Sequence, residues 1–178
     1  MVNEYRVIKD AQTIGYAKQK RLALREQFTI FKDESQKEVL ATSKARTIID
    51  LGPTFDVLDA NSKTLGVIKK DFKKSLLSSS WSIYDPKNEK LLFHITEKNQ
   101  AIAIIRRLWN LIPFANEIPF FIKFHFSILS GNKIVGEYTK LTSIKDHYAL
   151  FLEESYEDKV ELRVWMIAAV LLDAMQSR

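Results

Sequence analysis

Nine consecutive residues near the C-terminus, Val164 to Leu172, are apolar, within a stretch VELRVWMIAAVLLDAMQSR that contains neither Gly nor Pro. The composition favours a helix, and a helix over these residues is apolar on every side, so it has to be enclosed by protein or by lipid. Nine residues fall far short of the ~20 that span a bilayer, which leaves protein. The rest of the chain reads as short strands, and the enclosure that strands can offer is a sheet wrapped round the helix. By comparison with eleven-stranded cans that hold a central helix, about eleven or twelve strands before residue 153 would suffice. The expected fold class is therefore mainly β with a central α: a closed antiparallel β-barrel of about 12 strands around a helix at 160–176. Val164, Ile167, Ala168, Leu171 and Leu172 are expected to be inaccessible.

The strands announce themselves as an internal echo. Phe28-Thr-Ile-Phe, Phe55-Asp-Val-Leu, Trp81-Ser-Ile-Tyr and Phe126-Ser-Ile-Leu each place an aromatic and an aliphatic residue two positions apart, on one face of a strand. Each is followed by a polar turn, such as Asp59-Ala-Asn-Ser-Lys63 or Asp85-Pro-Lys-Asn-Glu89, and by a second apolar stretch. Repeated hairpins without helical crossovers imply an antiparallel sheet. The third interval is longer than the first two and contains an insertion at 101–121. There Ile102, Ile105, Trp109 and Ile112 fall at helical spacing, with Arg106 and Arg107 beside them and Pro113 ending the run. This segment is expected to cap an open end of the barrel; the alternative is a helix lying in a membrane interface.

With 178 residues, 46% of them hydrophobic, the chain fits a single domain, 1–178. The absence of cysteine excludes disulfides, thiolate metal sites, cysteine nucleophiles and S-acylation. The opening MVNEYRVIKD lacks a charged start leading into an apolar core, so the expected location is cytoplasmic, at most peripheral to a membrane. The glycines are too scattered for a nucleotide-binding loop, and no Gly-x-Ser-x-Gly elbow is present. His94, His125 and His147 lack metal-ligand spacing, and the first two are expected to be hydrogen-bonded structural residues within strands. No catalytic residue, metal or cofactor is indicated, and the chain is expected not to be an enzyme.

The net charge is +5. Two basic clusters carry most of the excess, one at Lys18, Lys20, Arg21 and Arg25, the other at Lys63, Lys69, Lys70, Lys73 and Lys74. An acidic run, Glu153, Glu154, Glu157, Asp158 and Glu161, precedes the apolar helix, where negative charge is favoured by the helix dipole. A positive patch attracts anionic lipid, nucleic acid or acidic protein alike. The commoner use of such lysines is a solvated strand edge that blocks aggregation.

Taken together, these residues resemble the tubby-like superfamily, with the LURP-one-related proteins and the phospholipid scramblases nearest within it. The resemblance is carried by Phe126-Ser-Ile-Leu-Ser-Gly-Asn-Lys-Ile-Val-Gly136, by Tyr148-Ala-Leu, and by Val160–Met175 with Asp173 near the helix end. Phe55–Lys69 and Trp81–Phe93 are similar to the family's earlier hairpins. It implies a barrel closed on a buried helix, and no motif within it is catalytic. The chain departs from scramblases in having no cysteines for acyl chains and no proline-rich arm. Only Asp146 stands where scramblases carry closely spaced aspartates linked with calcium.

The expected function is thus a non-enzymatic module that binds anionic lipid or phosphoinositide headgroups at a membrane surface. The candidate contacts are Lys69, Lys70, Lys73, Lys74, Arg106 and Arg107, chosen on charge rather than carried over from the family. The alternative is a protein-interaction or structural barrel with no lipid ligand. Scramblase-like lipid transfer and nucleic-acid binding rank lower, the latter because the aromatics alternate on the face assigned to the core.

Overall fold

The computed structural model describes residues 2–20, 27–46, 53–71, 80–98, 125–141 and 147–176. The insertion at 101–121, with Arg106 and Arg107, lies outside the described residues, as do Lys73 and Lys74.

The first six strands are β1 (Val2–Lys9), β2 (Gln12–Lys20), β3 (Thr29–Phe31), β4 (Val39–Ala45), β5 (Thr54–Leu58) and β6 (Thr64–Lys70). Five more follow: β7 (Ser80–Tyr84), β8 (Leu91–Glu97), β9 (His125–Ser130), β10 (Lys133–Lys140) and β11 (Tyr148–Leu152). A one-turn helix α1 (Glu154–Glu157) leads into α2 (Leu162–Gln176). Spatial order equals chain order from β1 to β11, and every neighbouring pair is antiparallel.

The echo in the sequence corresponds to the odd strands β3, β5, β7 and β9. Phe28, which enters β3, and Phe55, Trp81 and Phe126 are buried, as are their partners two residues on, Ile30, Val57, Ile83 and Ile128. All eight are 3% exposed or less, so the period-two alternation does select one face of the sheet for the core. Tight turns close the hairpins between them. Gly131 takes a φ of 62°, the positive value that a two-residue hairpin needs at its first position.

Helix α2 lies against that face. Eleven strands about 4.8 Å apart would lie flat over roughly 50 Å, whereas a helix with its side chains is only about 10–12 Å across. Yet α2 is reached from many strands. Phe93 of β8 packs its ring 5.1 Å from that of Trp165, and the Tyr138 hydroxyl of β10 donates to the Ala169 carbonyl at 3.2 Å. From the other side, Arg163 donates to the Leu40 carbonyl of β4 at 3.3 Å. Gly66 of β6 lies so near Val164 that a Cβ there would stand 3.0 Å from its Cγ2. The sheet therefore curls round the helix, and Val164, Ile167, Ala168, Leu171 and Leu172 are all buried as expected.

The curl stops short of closure. Among the described residues the sheet has eleven strands, where about twelve were expected, and no ladder joins β1 to β11, so this sheet is not closed into the expected barrel. Burying a helix requires apolar side chains on every side of it, and curvature supplies them. It does not require the two edge strands to exchange hydrogen bonds. Lys9 at the end of β1 lies 3.7 Å from Glu157 of α1, the short helix that follows β11.

Candidate functional site

Antiparallel order sorts the connections into two ends. The turns β1–β2, β3–β4, β5–β6, β7–β8 and β9–β10, and the link from β11 to α2, lie at the end where α2 begins. Together they contain six Lys or Arg against twelve Asp or Glu. The connections β2–β3, β4–β5, β6–β7, β8–β9 and β10–β11 start and finish at the end where α2 terminates. They contain ten Lys or Arg against five Asp or Glu. Bases of β10 and α2 offset part of the acidic end, through Lys133–Glu153 at 2.7 Å and the Arg163–Glu161 pair. At the basic end the described cations, Arg46 and Lys98, are engaged in a similar way. Arg46 is bound by Asp56, which raises its pKa, with Glu89 of the β7–β8 turn adding to the effect, so the stagger of the strands brings the two sets of connections together at this point. Lys98 donates to Glu137 at 3.2 Å and holds that carboxyl below the usual carboxylate range, and His125 acts in the same direction.

The candidate lysines of β6 do not act together. Lys69 pairs in register with Ser82 on the outer face and is exposed. Lys70 pairs with Trp81, whose side chain belongs to the core. Its ammonium sits 5.3 Å from the centre of the Trp81 ring and 3.5 Å from the Met175 carbonyl oxygen. The last carbonyls of a helix lack intrahelical partners and carry the negative end of the dipole. Lys70 answers both, as an inward lysine at the mouth of the sheet.

Three further side chains meet the same end of α2. Tyr148 of β11 donates its hydroxyl to the Asp173 carboxylate and stacks on Tyr138 at 5.4 Å with an interplanar angle of 10°. The ammonium of Lys140 lies 5.8 Å over the Tyr148 ring. The family resemblance picked out Tyr148 and Asp173 without assigning them a contact, and passed over Tyr138 and Lys140. The signal for all four inward side chains is strand alternation: Tyr138 and Lys140 follow Gly136 at steps of two, and Lys70 follows Ile68.

On the outer face of β7 and β8, His94 bridges two serines, with Nε2 3.1 Å from Ser80 Oγ and Nδ1 3.3 Å from Ser82 Oγ. Nucleophilic catalysis by a Ser–His pair needs a third group to orient the imidazole. Here a serine hydroxyl lies within hydrogen-bond distance of each ring nitrogen, so His94 is hydrogen-bonded within the strands. His125 lies in β9 with Nε2 2.9 Å from Glu137 Oε2. Among the described residues, no three His, Asp or Glu side chains gather as metal ligands, and no helix is long and apolar enough to cross a membrane.

The family model described as LURP-one-related matches residues 13–173, from β2 to the penultimate turn of α2. The chain belongs to the LURP-one-related family. No curated protein and no solved structure matches it. For this LURP-one-related chain, the matched span takes in the hairpin echo, Lys69, Lys70 and the tyrosines that hold α2. Its N-terminal limit leaves out β1, the edge strand that fails to close the sheet.

Proposed function

We propose that this LURP-one-related protein is a non-catalytic module that binds anionic membrane surfaces peripherally, with the end where α2 terminates turned toward the headgroups. The observation that carries this reading is the sorting of charge among the connections: those that start and finish where α2 terminates hold a surplus of bases, and the opposite set a surplus of acids. A charge separation of that kind orients a protein in the field of an anionic surface as well as attracting it. Large apolar residues support the same end. Leu22, Leu24, Ile48, Ile49, Leu51, Phe72, Leu76 and Leu77 all occur in the basic connections, whereas the acidic turns hold little beyond Ala11, Ala60, Tyr156 and Val160. Basic residues with interspersed apolar ones suit the boundary between headgroup and acyl chain.

Within this reading, Lys69 is an outward-facing headgroup contact, and Lys73, Lys74, Arg106 and Arg107 belong to connections that start and finish at its end of the sheet. Lys70 holds the helix instead. Co-sedimentation with vesicles tests the proposal. Binding to phosphatidylserine or phosphoinositide vesicles that weakens as salt rises, with little to phosphatidylcholine, is the expected result. Equal binding to neutral and anionic vesicles, or none to either, contradicts it.

A further inference from the structure

The acidic end has a property that an anionic membrane cannot use. Large apolar side chains stand exposed there: Phe151 of β11 at 66%, Ile134 of β10 at 53%, Ile8 of β1 at 63% and Leu162 at the start of α2 at 46%. Single exposed apolar residues are ordinary on a protein surface. What sets these apart is their shared location. Phe151 pairs with Glu137, and Ile134 with Leu129, both on the outer face of adjoining strands. Ile8 lies beside Lys9, which pairs with Glu157 of α1. By strand order these apolar side chains lie at the end of the sheet where α1 and its flanking carboxylates also lie. Three of those acids are ion-paired: Glu153 with Lys133, Glu157 with Lys9, and Glu161 with Arg163. Glu154 and Asp158 are exposed, and the neighbouring Lys159 lies over the Tyr156 ring, 3.9 Å from its centre.

We infer that this end is a docking surface for a basic amphipathic segment of a partner protein. An aromatic anchor with aliphatic neighbours and a charged rim is the usual composition of a contact that carries binding energy. The sign of the rim selects the partner. Acids at Glu154 and Asp158 repel anionic lipid and complement lysine or arginine placed beside the apolar side chains that cover Phe151 and Ile134. The surface lies opposite the proposed membrane-facing end, so a bound module would present it away from the bilayer. It stands on different residues from the lipid reading, and either can fail without the other.

The test is fluorescence anisotropy on the full chain with a labelled synthetic Lys/Leu peptide of amphipathic helical spacing. A Glu/Leu peptide of the same spacing and a Lys/Ser peptide serve as controls. The Lys/Leu peptide is expected to bind and both controls to fail. Phe151→Ser with Ile134→Ser should weaken binding about tenfold or more, the loss typical of an interface anchor. Glu154→Lys with Asp158→Lys should weaken it similarly, and Lys69→Glu should leave it unchanged. All these positions are exposed, so the variants should keep the parent unfolding temperature, which is measured alongside. Binding of the Lys/Ser peptide as tight as that of Lys/Leu would reduce the surface to bare charge and overturn the inference. Indifference to the Phe151 and Ile134 replacements would overturn it as well. So would concentration-dependent self-association that the Phe151→Ser variant abolishes, because the surface would then be an interface between copies of this chain.

Discussion

The ammonium of Lys70 lies 3.5 Å from the carbonyl oxygen of Met175, so a lysine from the sixth strand closes the C-terminal end of the enclosed helix. Its sequence neighbour Lys69 points to the other side of the sheet. Replacing Lys70 with Met keeps the stem over Trp81 and removes the charge. The expected cost is about 1 kcal/mol, the scale of a cation at a partly buried helix C-terminus. Lys69→Met should change stability by less than ~0.5 kcal/mol, as exposed substitutions usually do. Urea unfolding of the two variants checks the contrast.

Tyr148 and Asp173 form the second fastening. Tyr148→Phe leaves the Asp173 carboxylate without that donor in a half-buried site, and the expected loss is about 1.5–3 kcal/mol. Asp173→Asn keeps an acceptor for the same hydroxyl and should cost less. Equal losses from the two changes, read from denaturant midpoints, would show that the charge on Asp173 is irrelevant to the contact.

Two glycines separate rigid from yielding neighbours. A Cβ on Gly136 would overlap the backbone carbonyl of Phe151 and stand 2.9 Å from Leu152 Cδ1, so relief requires β10 and β11 to move apart. A Cβ on Gly15 would stand 2.6 Å from the terminal methyl of Met166, which can swing aside. Gly136→Ala is expected to destabilise by several kcal/mol or prevent folding, and Gly15→Ala by roughly 1–2 kcal/mol. Thermal unfolding followed by circular dichroism distinguishes them.

The turn between β1 and β2 is a place to gain stability. Asp10 and Ala11 both have positive φ, 49° and 62°, and an alanine pays a steric penalty there that glycine avoids. Ala11→Gly is expected to raise stability by about 0.5–1 kcal/mol, after the entropy lost by glycine is set against the strain relieved. A lowered unfolding temperature would contradict this.

The same turn shows why β1 and β2 were hard to read. Asp10-Ala11 has no Gly or Pro to mark it, and Tyr5, Val7 and Tyr16 stand outside the aromatic–aliphatic echo. The four echo units and the nine-residue apolar run were legible because each follows from local periodicity. Openness of the sheet was not, since enclosing α2 constrains side chains rather than the pairing of β1 with β11. Charge misled in a different way. Counted along the chain, Lys69 and Lys70 form one patch; alternation sends one outward and the other to Met175. The segregation of acids and bases between the two ends needs the strand order before it can be seen at all.

That segregation is tested most directly by moving the same charge at either end. Lys69→Glu with Lys73→Glu alters the basic end; Lys32→Glu with Lys37→Glu, in the β3–β4 turn, alters the acidic end and changes net charge equally. Each basic residue near an anionic surface contributes roughly 1 kcal/mol, so reversing the first pair should weaken binding to phosphatidylserine vesicles at least ~20-fold. Reversing the second pair should leave it within about threefold of the parent, since the proposed orientation holds the β3–β4 turn more than a Debye length of ~8 Å from the surface. Equal losses from the two pairs would show that total charge alone governs binding, and would contradict an oriented membrane-facing end.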